Sequence, residues 1–179
     1  LWINTMSAKV QACRDVFSHY VKLYPELKQV TLVFNETVVI NEVEASGATV
    51  YDANMVPTEI NISTHIYKRV ERSKDNMIHI LLHEMSHAIT DYKQNQTTAG
   101  GSNQSQKHGE PSYSSSSKSL NHKTLRKRDS QRRFNDSHHP PMFWDSYVEV
   151  LKHASRMGFV NIDLTKIDVD YVKKLNTCH

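Results

Sequence analysis

From Tyr92 to Ser137 the sequence loses almost every apolar residue, and this break constrains the fold more than any other feature of the chain. The tract is built of Ser, Asn, Gln, Lys and Arg, with Gly100-Gly101 and four consecutive serines at Ser114–Ser117. Leu120, Leu125 and Phe134 are nearly its only apolar side chains. A segment of this composition cannot bury enough surface to offset its ordering entropy, so it is expected to be a disordered insert. Any folded domain must then be assembled from two pieces, residues 1–91 and 138–179, packed against each other. A chain of 179 residues is expected to hold one domain. Its hydrophobic content of 38% is lean for a single core, and the insert accounts for much of the deficit. Charge divides the same way. Residues 92–137 carry nine Lys and Arg against three Asp and Glu, a formal +6, which leaves −3 for the rest of a chain whose total is +3.

Within the two flanking pieces the hydrophobic periods predict an α+β fold. Val10, Cys13, Val16-Phe17 and Tyr20-Val21 recur at the helical period over Met6–Tyr24, and Pro25 ends that helix. Short β-branched runs follow at Gln29–Phe34, Val38–Val43, Ala48–Asp52 and Glu59–Ser63, separated by turn residues such as Gly47 and Pro57. Asp75–Tyr92 reads as a strong helix with Asp75 at its N-cap. Pro140-Pro141 opens another helix to Met157, with Phe143-Trp144, Tyr147-Val148, Leu151 and Ala154 on its buried face. The tail from Asn161 to Leu175 has room for one short strand or helix.

The middle helix contains His83-Glu84-Met85-Ser86-His87. Residues four apart lie one turn apart on one helix face, so both imidazoles can reach a single Zn²⁺. Glu84 beside them can take a proton from a water that attacks a carbonyl. A catalytic zinc needs a third protein ligand. Downstream stand His108, His122, His138, His139, His153 and His179. His108 and His122 fall in the polar tract, and His153 reads as a surface or packing residue of the last long helix. His138 and His139 sit where the insert meets ordered structure, and the residues alone leave both open. Two cysteines, Cys13 and Cys178, exclude a disulfide-rich scaffold and a cysteine-only zinc site. No apolar run approaches membrane-spanning length.

Three stretches in order resemble the SprT-like, or Spartan-type, family of zinc metalloproteases. They are Gly47–Tyr51 followed by Pro57–Ser63, then Leu81-Leu82-His83-Glu84-Met85-Ser86-His87-Ala88, then His139-Pro140-Pro141-Met142-Phe143-Trp144. The resemblance implies a zincin-like minimal protease domain, a small mostly antiparallel sheet packed on the active-site helix. It implies Zn²⁺ held by His83, His87 and His139, with Glu84 catalytic. It favours His139 over His138, because Phe143 then falls where the family has its phenylalanine. It also implies an endopeptidase, and because the family includes a DNA-dependent repair protease, substrates that are bound or crosslinked to DNA. Two departures stand out: Pro140 follows the third histidine where the family has glycine, and 46 residues separate the helix from that histidine where the family has a shorter loop. Loop entropy grows slowly with length, so the site tolerates the insertion.

Within the insert, Lys123, Arg126, Lys127, Arg128, Arg132 and Arg133 form a basic cluster. One reading is phosphate contact with DNA or nuclear import, with salt-sensitive affinity; the other is a solvated loop. Phosphorylation of Ser114–Ser117 or Ser119 would cancel much of the positive charge. The apolar start Leu1-Trp2-Ile3 lacks the pattern of a secretory signal. The natural start is either upstream or at Met6. The Asn-x-Ser/Thr sites read as chance, and the protein is expected inside the cell, nuclear or cytoplasmic, as a monomer acting on protein substrates. The competing expectations are a cytosolic zincin with no link to DNA and a non-catalytic zinc protein that binds nucleic acid through the insert.

Overall fold

The computed structural model describes residues 5–99 and 139–176, with side chains over 5–94 and 139–176. Helix α1 (Thr5–Leu23) buries Cys13, Val16 and Tyr20, spaced three and four apart as one face requires. Pro25 ends it by opening a 3₁₀ turn, Pro25–Leu27. Cys13 is a buried free thiol, and burial pushes its pKa up to about 12, so it packs as a small apolar group.

Seven short strands follow: β1 (Thr31–Asn35), β2 (Val38–Ile40), β3 (Val43–Ala45), β4 (Gly47–Tyr51), β5 (Pro57–Ser63), β6 (His65–Ile66) and β7 (Val70–Glu71). The main sheet has the order β1-β5-β4. Antiparallel pairing holds for β2–β3, β4–β5 and β6–β7, but β1 runs parallel to β5, from Thr31 opposite Glu59 to Asn35 opposite Ser63. Pairing is therefore mostly antiparallel, as expected, with the main sheet mixed through its one parallel pair. The direction arises because the chain passes through the β2–β3 hairpin and the edge strand β4 before β5 enters the centre. The run 38–43, expected as one strand, folds back on itself at Asn41 and Glu42, whose φ values of 50° and 69° make a tight hairpin turn. The β6–β7 hairpin was not expected. It turns through Tyr67 and Lys68, also at positive φ.

Helix α2 (Lys74–Ala99) lies across β4 and β5, burying Met77, Ile78, Leu81, Leu82, Met85, Ala88 and Ile89. Ser73, rather than Asp75, caps it: its Oγ accepts the Asn76 N–H at 3.1 Å, and Asp75 lies in the first turn. The helix also runs past Tyr92, taking in the first eight residues of the polar tract. Once nucleated, a helix extends for one hydrogen bond per residue, and Lys, Gln and Ala continue it without apolar contacts.

Helix α3 (Pro141–Arg156) packs on α2 and buries Phe143, Trp144, Tyr147, Val150, Leu151 and Ala154. The Tyr20 hydroxyl donates to the Val150 carbonyl at 2.6 Å, tying α1 to α3. Gly158 ends α3 at φ 74°, with Gly158 N–H on Ser155 O and Phe159 N–H on Ala154 O, a Schellman closure. The tail forms a 3₁₀ turn, Leu164–Lys166, and helix α4 (Val169–Asn176), which packs on α3. The two flanking pieces thus share one core, and each large apolar side chain in it contributes roughly 1.5–3 kcal/mol of burial. Among the described residues no helix is long and apolar enough to cross a membrane.

Candidate metal centre

His83 and His87 stand one turn apart on α2, their Nε2 atoms 3.2 Å from each other. His139 arrives from the residue before Pro140 and places its Nε2 3.1 Å from that of His87. The ligand atoms of all three lie within 4.8 Å of one another, and the side chains are half-buried. Three nitrogens bound to a tetrahedral ion at 2.0–2.1 Å would be about 3.3 Å apart, so the trio fits one metal ion with little adjustment. A set of three imidazoles suits borderline divalent ions such as Zn²⁺.

Packing holds the trio. Phe143 is fully buried, and its ring lies 4.3 Å from the His87 ring and 4.1 Å from the His139 ring, centroid to centroid. Trp144 lies 5.0 Å from His139, and Tyr147 meets His83 edge-on at 5.5 Å. Pro140 does not disturb this arrangement. Its φ of −64° is the ordinary proline value, and its carbonyl accepts the Phe143 N–H at 2.9 Å, starting α3 immediately after the histidine. Burial, then the charge of Glu84, raises the Tyr147 hydroxyl pKa above the usual tyrosine range, keeping the phenol protonated.

Glu84 is 8% exposed and follows His83 directly. The Thr49 hydroxyl lies 2.8 Å from its Oε2 and 3.1 Å from its backbone carbonyl. A Cβ on Gly47 would come within 2.6 Å of Ile80 Cγ2 and 3.0 Å of the Glu84 carboxylate, so strand β4 approaches α2 this closely only with glycine there. Two residues beyond Thr49, the Tyr51 hydroxyl donates to Asp91 Oδ2 at 2.5 Å. Gly47, Thr49 and Tyr51 share one face of β4, as alternate strand residues must, and that face lies along α2. The Arg72 guanidinium fixes the start of the strand, donating to Asn76 Oδ1 at 2.7 Å and Ser46 Oγ at 3.0 Å. Beside the trio a small open recess is lined by His87, Thr90, Asp91 and Gln94 of α2 with His139, Pro140 and Phe143.

Comparison with protein-family models, curated proteins and solved structures finds no match to this chain. The metal centre therefore rests on its own geometry.

Of the histidines weighed in the sequence, the structure brings His83, His87 and His139 together. His153 lies on α3 and meets His19 of α1 instead. His108, His122, His138 and His179 lie outside the described residues, as do the basic side chains Lys123, Arg126, Lys127, Arg128, Arg132 and Arg133. Sequence reasoning gave no role to Thr49 or to the Tyr51–Asp91 pair. The signal was the odd-numbered parity of Gly47, Thr49 and Tyr51, which puts all three on one strand face.

Proposed function

We propose that this chain is a zinc-dependent endopeptidase with a zincin-like fold, of the SprT-like kind, that acts inside the cell on proteins bound or crosslinked to DNA. The observation that carries the reading is the meeting of His83, His87 and His139 beside a carboxylate, Glu84, that is itself held by a hydrogen bond. Three protein nitrogens leave a tetrahedral ion one further position, which distinguishes catalytic from structural zinc. When bound, Zn²⁺ supplies Lewis acidity, easing deprotonation of water and polarising the scissile carbonyl.

The remaining work falls to the chain. Glu84 is the general base: it takes a proton from the attacking water and passes one to the departing amine. Phe143 and Trp144 hold the His139 ring and limit its rotation. The recess bounded by His87, Asp91 and Phe143 offers room for the substrate side chain next to the bond being cut. The link to DNA is supported by the family resemblance and by the basic cluster in the sequence, whose affinity would fall steeply with salt.

The test compares zinc-loaded wild type with Glu84→Gln on an unstructured protein substrate, with and without single- or double-stranded DNA. Glu84→Gln is expected to retain zinc and fold while cleavage falls by on the order of 10²–10⁴. DNA is expected to stimulate the wild type. Equal failure of both proteins to cut any substrate overturns the enzyme reading. Cleavage indifferent to DNA, without salt-sensitive binding, replaces it with a protease that has no DNA link.

A further inference from the structure

Thr49 sits on the edge strand of the sheet, far in sequence from the histidine motif, and its side chain reaches the carboxylate that the motif supplies. A hydroxyl has one proton to donate. Of its two acceptors the Glu84 carboxylate oxygen is nearer, at 2.8 Å against 3.1 Å for the backbone carbonyl, and a charged acceptor forms the stronger bond. Thr49 is β-branched, so few rotamers are open to it, and the bond points in a fixed direction. On the same strand face, Gly47 lets the β4 backbone lie close to Glu84, near enough that a Cβ there would meet its Cγ and Oε1 at 3.0 Å. The base is thereby held against β4 by a hydroxyl and a close-packed backbone.

We propose that Thr49 is a positioning residue: its hydroxyl holds the Glu84 carboxylate in the orientation needed for proton transfer, coupling strand β4 to the chemistry of α2. This rests on the protease reading above and adds to it a residue that the histidine motif does not contain. Holding a base costs nothing in substrate binding, so its loss falls on turnover. A merely structural Thr49 would affect stability, with turnover following only the folded fraction.

The experiment compares Thr49→Val and Thr49→Ser with wild type, all zinc-loaded. Valine keeps the shape and removes the donor; serine keeps the donor. Thr49→Val is expected to lower kcat by about 10–100-fold, the usual cost of losing a supporting hydrogen bond at such a site, with KM unchanged. Thr49→Ser is expected to recover most of that loss. Equal kcat in Thr49→Val and wild type, or a serine variant as poor as the valine one, overturns the proposal. A second measurement does not depend on cleavage. In a double-mutant cycle of Thr49→Val with Glu84→Ala, read by denaturant unfolding, the two changes are expected to be non-additive by about tenfold or more in the unfolding constant. Additive effects show that Thr49 does not hold Glu84, whether or not the protein is a protease. Coupling without any proteolysis in the wild type leaves the contact standing but overturns both its catalytic purpose and the proposed function.

Discussion

Two groups of histidines occupy this molecule, and they differ in how the rings face. In the pair His19–His153 the Nε2 atoms are 2.8 Å apart while the ring centroids are 5.1 Å apart and the rings lie within 19° of coplanar. In the trio the nitrogens are further apart, 3.1 Å for His87–His139 and 3.2 Å for His83–His87, and the rings are turned across one another, at 29° for His87–His139, 68° for His83–His87 and 89° for His83–His139. Nitrogens that approach while rings recede mean that His19 and His153 meet end to end, one N–H pointing at the other's lone pair. Rings turned across one another, with their nitrogens still close, bring three lone pairs toward a common point, where they could hold one metal ion. Chain geometry makes the difference: a single helix turn plus a helix start supplies the trio, whereas two facing helices, α1 and α3, supply the pair.

The largest effects should separate the groups outright. His139→Ala is expected to lose zinc to a chelator that leaves wild type loaded, and to lose cleavage with it. His138→Ala and His153→Ala are expected to keep both, by metal analysis and proteolysis assay. Retained zinc in His139→Ala, or lost zinc in His153→Ala, would erase the distinction. Next comes Phe143→Ala, which removes the wall shared by His87 and His139. It should cost about 3–5 kcal/mol in chemical denaturation and weaken zinc binding at the same time, whereas Val150→Ala, equally buried but away from the trio, should cost stability alone.

The smallest effect belongs to the pair. Burial, then His19 and Arg156, hold the His153 pKa below its ordinary value of 6.5. Tyr20 and Phe159 flank the rings, and the nearby Glu149 carboxylate accepts the Tyr24 hydroxyl. The unfolded chain therefore takes up this proton before the folded one does. Stability from the pair is complete above pH 6.5 and is lost as pH falls through the folded value. Thermal melts should show a steeper decline toward pH 5 in wild type than in His153→Gln. Identical slopes would mean the pair is an ordinary packing contact.

What the sequence disclosed depended on how local the physics is. The spacing of His83 and His87 and the apolar face of Phe143, Tyr147 and Leu151 are properties of a single helix, and both were legible. Described residues before and after the tract do enter one core. The parallel pairing of β1 with β5 was not legible, since short strands alternate identically whichever way their neighbour runs. Nor were residues 93–99 as helix: the apolar stripe stops at Tyr92, while backbone hydrogen bonding carries on without it. Ser73 took the cap from Asp75 because the helix starts at Lys74, two residues earlier than a cap at Asp75 would place it. Thr49 was invisible as a functional residue because its partner lies 35 positions away on another element.

The overrun of α2 to Ala99 has a mechanical consequence. Twelve residues of helix beyond His87 carry the chain about 18 Å from the metal site before the polar tract sets out for His139. His139 is held beside His83 and His87 by the docking of α3 on α2, as one half of a split protein is held by the other. Whatever disturbs that docking also takes apart the histidine trio, so the trio reports on the joining of the two pieces.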